Sequence, residues 1–535
     1  MKFGTVMLLN YPQKCLCAFL LPLCSFTFII HNFLPVFHFN LASLYEGRSN
    51  IMNRILSSLK PQPLFDFFEQ ICHVPRPSKK EEKIRQFLLD FAKANCLEAK
   101  TDTVGNILIL KPAVPGREGA PTVILQTHMD MVCEKNDDKV FDFNSDAVEL
   151  RVIDGWVKAN DTTLGADCGI GIAAQMAVLT STTIKHGRLE CLITVDEETG
   201  LTGAFALKPD FMTGSILLNL DSEDEGEIFI GCAGGIDTVA TFSFKREAIP
   251  ENFTALKLSV IGFLGGHSGS DIHKNRGNAN KILTRFLWKA MQDFEIRISE
   301  FNGGNLRNAI AREAFVLLIV SNSEKEKLLG AFKNYSAKVS FEFEQAEPGL
   351  KLAAEEIPAP EFVIDNETQY NLILALNACP HGVLEMSTRM KGMVETSTNL
   401  ASVKFIEENK IRIETSQRSE LESRKYMAAE MVESVFKLAG ARVEHSGGYP
   451  AWTPNPDSEV LKVTVDSYEK LFGIKPVVSS IHAGLECGLF LEKYLNLDMV
   501  SFGPTIKGAH SPDERLDIYS TEKFWKHLVD VLEKI

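Results

Sequence analysis

Three apolar stretches that end on histidine or carboxylate constrain this chain more than any other feature. PTVILQTHMDMV delivers His128 and Asp130, RLECLITVDEETG delivers Glu197 and Glu198, and SILLNLDSEDEG delivers Asp221. Short apolar runs of this kind, bounded by turn residues, read as buried strands. Open α/β sheets bind ligands just beyond the carboxyl ends of their strands, so acids and an imidazole delivered there point to one rim and one cation site. A fourth acid, Asp167, sits in NDTTLGADCGIG among Gly165, Ala166, Cys168, Gly169 and Gly171, where a tight loop enters the buried helix IAAQMAVL. No Lys or Arg lies between Ala159 and Ile184, which leaves helix-start amides or a bound cation to compensate a buried carboxylate. Taken alone, Asp167 reads as an ordinary N-cap. The other acids and histidines turn the reading toward a cation, and a last strand and loop, DMVSFGPTIKGAH, adds His510.

At 535 residues the chain is too long for one core, and two or more domains are expected. GCAGG near Gly231 and the SGG ending at Gly448 read as flexible joints. Between them, TVATFSFK, TALKLSVIGF, FVLLIVSN, KVSFEFEQ and KIRIETSQ read as strands, mixed with the helices NANKILTRFLWKAM, EKEKLLGAFKNY and KYMAAEMVESVFKLAG. The expectation is an α/β protein in which residues 52–233 and 448–535 build one mixed-sheet domain and residues 234–447 form an inserted α+β domain. A net charge of −14, without basic clusters, disfavours nucleic acid as a partner. Eleven cysteines in no paired framework suit reduced thiols in a cytoplasmic setting. Residues 1–51 conflict with that setting, because CLCAFLLPLCSFTFII is apolar enough for a signal-peptide core or part of a membrane span. The reading adopted is that the working protein starts at Met52, with no membrane association unless that extension is real.

The donor set is imidazole and carboxylate, which suits two divalent cations of the zinc, cobalt or manganese kind. His128, Asp167 and Asp221 can hold one ion while Asp167, Glu198 and His510 hold the second, Asp167 giving one oxygen to each. Shared carboxylates of this kind bridge ions roughly 3.5 to 4 Å apart in two-metal hydrolases. Glu197 is then free to act as a general base on water, and Asp130 can orient the His128 ring.

The motifs HMD at 128–130, DTTLGADCGIGIA at 161–173, DEETG at 196–200, LLNLDSE at 217–223 and GPTIKGAHSP at 503–512 resemble the signature of a di-zinc peptidase family. That family includes carnosinases, acetylornithine deacetylase and bacterial tripeptidases. GCAGGID, GGHSGSDIH, NGGNLRNAIARE, ETSTNL and IHAGLECGLF resemble its branch that cleaves Xaa-His dipeptides, and the resemblance runs from about Met52 to the end of the chain. It implies a zinc-peptidase catalytic domain made of both chain ends, an inserted lid domain, a small dipeptide such as carnosine as substrate, and a homodimer. It also implies that His267 reaches the tetrahedral oxyanion and that Asn308 and Arg418 hold the substrate's carbonyl and terminal carboxylate. His482 and Glu486 either line the pocket, help to fix His510, or serve the fold alone. A metal- or peptide-binding module without catalysis is the rival reading; binding alone has no need of a base such as Glu197.

Overall fold

A computed structural model of the chain describes residues 54–535, so the expectations for residues 1–51 lie outside the described residues. The strands that carry the acids form the centre of an eight-stranded sheet. Its order is Glu98–Thr101, Ile107–Lys111, Leu189–Thr194, Val123–His128, Ile216–Asn219, Asp498–Ser501, Glu227–Cys232, Val477–Ile481. Val123–His128 runs parallel to Leu189–Thr194 and to Ile216–Asn219, which is in turn parallel to Asp498–Ser501. Their carboxyl ends therefore meet on one rim. Val123–His128 and Leu189–Thr194 are buried on both faces, which is why they read as unbroken apolar runs rather than alternating ones.

One face of this sheet packs on the helices Gln62–Cys72, Glu82–Ala94, Ala166–Thr180, Glu459–Phe472 and Ile518–Lys534. The other face packs on the short helices Thr202–Ala206 and Glu486–Lys493. A second, nine-stranded antiparallel sheet occupies the middle of the chain and has its own core beneath Ala279–Asp293, Asn366–Ala378 and Glu422–Leu438. Two sheets with two separate cores agree with the expected architecture of a mixed sheet and an inserted α+β layer. Among the described residues no helix is long and apolar enough to cross a membrane, and all eight cysteines are free.

Two local expectations fail. KVSFEFEQ is not a strand: the helix Lys325–Glu342 runs through most of it. Its alternation competes with a longer period in which Leu328, Phe332, Tyr335 and Val339 fall on one face. Leu328, Phe332 and Val339 are buried while Phe341 is 79% exposed, so the helical period wins. The joints are not loose loops either. Gly234–Ser243 and Arg442–Tyr449 are paired strands with Gly235 opposite Tyr449, and Cys232 and Trp452 exchange backbone hydrogen bonds at 2.9 and 3.0 Å. Gly235 is required for space: a Cβ there would lie 2.5 Å from the Tyr449 ring.

The helical assignment is tested by Leu328→Ala, expected to cost about 2–5 kcal/mol as a buried large-to-small change, and Phe341→Ser, expected to change stability by less than about 0.5 kcal/mol. Urea unfolding of the two variants reads both; a large loss from Phe341→Ser would instead fit a strand that buries Phe341.

Candidate active site

His128 ends its strand with the ring held from both sides. Nδ1 faces Asp130 Oδ1 at 3.3 Å, while Nε2 lies 3.0 Å from Asp167 Oδ1 and 3.2 Å from Asp221 Oδ1. His510, at the end of the C-terminal loop, puts Nε2 at 3.2 Å from Asp167 Oδ2 and 3.1 Å from Glu198 Oε2. The two oxygens of Asp167 therefore face different histidines. Side chains from separate segments, the ends of three strands and two loops, are brought together around Asp167.

Asp130 serves a second purpose. Its carboxylate accepts hydrogen bonds from the Glu197 amide at 3.0 Å, the Glu198 amide at 3.2 Å and Ser78 Oγ at 2.8 Å. It thus ties the turn carrying both glutamates to the strand carrying His128. Burial pushes its carboxyl up, but the bonds from His128, Ser78 and the Glu197 amide outweigh this and hold it at about 2. Burial raises Glu197 well above its usual range against the pull of His128, with Asp221, Glu198 and Glu486 pushing the same way.

The donors fit divalent cations. Asp167, Glu198 and Asp221 have histidine as their only ion-pair partner among the described residues, and buried Glu198 Oε1 has no hydrogen-bond partner. Three carboxylates this close repel one another unless positive charge lies between them. Oxygen and imidazole nitrogen are the ligands that zinc, cobalt and manganese accept. Cys168 Sγ is also near His128 and Asp221, yet it donates to the Leu220 carbonyl at 3.4 Å, and burial keeps it a thiol.

Two adjoining cavities divide the remaining candidates. One, of about 380 Å³, is lined by Asp167, Glu197, Glu198, Asp221 and His510, and by Ser270 from the second sheet's loop. The other, of about 470 Å³, begins at Thr199 directly after Glu198 and holds Asn308, Arg418 and Tyr449. Both have the size of a small-ligand site. Arg418 is no surface residue: it is buried, and its guanidinium donates to Tyr449 Oη at 2.6 Å. His267 Nδ1 accepts from the backbone amides of Gly269 at 3.3 Å and Ser270 at 3.1 Å, which leaves Nε2 as the protonated nitrogen. Burial, then Arg418, bring the imidazole down to about 4, so it is neutral near pH 7. Its Nε2–H lies 3.5 Å from an Arg418 nitrogen. Two donors thus lie side by side.

His482 and Glu486 do not fix His510. His482 Nε2 meets Ser397 Oγ at 2.8 Å, and Glu486 accepts from Thr194 Oγ1 at 2.7 Å and Gln126 Nε2 at 2.5 Å beneath the strands. Two supporting residues escape a reading of the sequence. Arg76, buried between two prolines, donates to the carbonyls of Met129 at 3.2 Å and Asp130 at 2.7 Å and also to that of Gly165. Glu514, four residues beyond His510, receives the amides of the Asp167 loop. Gly165 itself has φ +70, and a Cβ there would collide with Arg76.

Over most of its length the chain is similar to known peptidases. The profile of Peptidase family M20/M25/M40 matches residues 124–534. The chain is 43% identical over 480 residues to a cytosol non-specific dipeptidase of Escherichia coli (strain K12), covering 90% of this chain and 99% of that one. It is similar to the crystal structure of aminoacylhistidine dipeptidase from Vibrio alginolyticus, with 47% identity, a TM-score of 0.82, and coverage of 90% of this chain and 98% of that chain. A tripeptidase from Staphylococcus aureus shares the fold at 16% identity and a TM-score of 0.52, over 89% of this chain and 98% of that chain. A family profile matched over residues 124–534, together with 43% identity to a dipeptidase over 90% of the chain, means that the chain belongs to peptidase family M20/M25/M40.

Proposed function

We propose that the chain is a metal-dependent dipeptidase acting on Xaa-His dipeptides such as carnosine, with His128, Asp167 and Asp221 around one cation and Asp167, Glu198 and His510 around another. The observation that carries this reading is Asp167, whose two oxygens each face a different histidine while Glu197 stands beside them. When bound, two zinc ions, or cobalt or manganese in their place, supply Lewis acidity to a peptide carbonyl and make a water molecule acidic enough to react near pH 7. Glu197 takes the proton of the attacking water and returns it to the leaving amine. Asp130 keeps the His128 ring in one orientation and the Glu197 turn in place. His267, with its hydrogen on Nε2, donates to the oxyanion of the tetrahedral intermediate. Arg418 matches the substrate's terminal carboxylate as a guanidinium fork, and Asn308 holds its carbonyl. In this reading residues 52–233 and 448–535 are the catalytic domain, residues 234–447 are the lid, and the protein forms a homodimer.

The Xaa-His preference is supported by the similarity to the Vibrio alginolyticus aminoacylhistidine dipeptidase, whereas the Escherichia coli relative is named non-specific. The latter's name also supports a cytoplasmic location. A wider dipeptide range is thus the second reading. A panel of Xaa-His and other dipeptides separates the two: a kcat/KM for carnosine and other Xaa-His substrates well above the rest is expected, and equal values across the panel would favour the broader enzyme. Activity is expected to vanish with a chelator and return on addition of zinc, cobalt or manganese.

Glu197→Gln is expected to lower kcat by about 10²–10⁴ without changing the ions bound per chain, measured by elemental analysis; near-normal turnover would remove Glu197 as the base. Arg418→Met removes a charged contact worth about 1.5–3 kcal/mol. It should lower kcat/KM on dipeptides by about 10- to 100-fold, mainly through KM, and have little effect on a dipeptide amide that lacks the carboxylate. An equal loss on both substrates would assign Arg418 a purely structural part.

A further inference from the structure

The chain entering the helix Ala166–Thr180 is not regular helix: Gly165 is left-handed, and Asp167 and Cys168 have non-helical φ and ψ. The amides of this loop therefore need partners from outside it. Leu164 and Gly165 donate to Glu514 Oε2 at 2.8 and 2.9 Å, and Ala166 and Asp167 donate to Oε1 at 2.8 and 3.4 Å. Glu514 is buried, and among the described residues no Lys, Arg or His forms an ion pair with it. Its charge is met by backbone amides alone. The peptide unit between Gly165 and Ala166 is gripped at both polar ends, its carbonyl by Arg76 and its amide by Glu514.

We infer that Glu514 is a positioning residue: by holding the amides of Leu164, Gly165, Ala166 and Asp167 it fixes the loop that turns one Asp167 oxygen to His128 and the other to His510. Because Glu514 lies four residues beyond His510, with its own amide bonded to Ser511 O at 3.0 Å, one carboxylate locks the Asp167 loop to the turn that follows His510. The site around Asp167, Glu198 and His510 is thereby formed before any cation arrives. This inference rests on the proposed two-ion reading of the site.

Two measurements test it. In wild-type protein stripped of metal, hydrogen–deuterium exchange of peptides spanning residues 164–167 should be slow and change little when zinc is added. Fast exchange that slows only with zinc would overturn the inference on its own, because the ions rather than Glu514 would then order the loop. Glu514→Gln replaces one acceptor oxygen with a donor, so some of the amides of the Asp167 loop lose their partner and the loop that aims Asp167 loses part of its anchor. Zinc titration of the metal-free protein should show two ions bound by the wild type. In Glu514→Gln the weaker site should lose at least tenfold in affinity, and Glu514→Asp should fall between the two. Two ions bound by Glu514→Gln with wild-type affinity would overturn the inference. A protein that binds two ions as described but cleaves no dipeptide would sink the functional reading and leave the role of Glu514 standing.

Discussion

The structure depends on how one buried negative charge, Asp167, is held without a cation from the chain beside it. Ion pairs with Lys or Arg would have been the cheaper local solution, yet they would consume the oxygens that the site uses. The fold sends a buried arginine to the neighbouring carbonyls and a buried glutamate to the neighbouring amides, so that backbone, not side chain, absorbs both. The carboxylate itself faces only imidazoles. What surrounds Asp167 is thus a frame of fixed polarity with its acceptor side pointed at the cavity.

The same device recurs at Asp130. A buried carboxylate collects the amides of the Glu197–Glu198 turn while its neighbour on the strand supplies an imidazole. Two loops that present chemical groups, that of Asp167 and that of Glu197 and Glu198, are thus each pinned by an acid drawn from another segment. Peptide amides make good partners for such acids because they are numerous at turns and cannot move away. The parallel strands then set the spacing between the loops, and the rim becomes a rigid plate on which five ligand-type side chains meet.

Much of this was legible in the chain itself. His128, Glu198 and Asp221 follow apolar runs buried on both faces, and that local pattern survives translation into a parallel sheet. Asp167 was legible through what its surroundings lack. Glu514 and Arg76 were not, since a lone Glu in SPDER or a lone Arg in VPRPS carries no period, and their partners are backbone groups that every residue possesses. KVSFEFEQ misled because alternation over a few residues fits a strand locally while the buried face is set by Leu328 and Phe332 further upstream. The glycines near residues 231–235 suggested looseness; they are sites of close approach instead, and Gly235 admits the ring of Tyr449, whose hydroxyl steadies Arg418.

The pairing of Gly235 with Tyr449, and of Cys232 with Trp452, has a mechanical outcome. Both crossings between the two sheets travel together as a single ladder rather than as separate tethers. A ladder of two strands twists readily about its long axis but resists shear and stretching, because either would break its rungs. Any swing of one sheet against the other is therefore channelled into torsion. The ring that braces Arg418 grows from that ladder, so such torsion would carry the guanidinium with it.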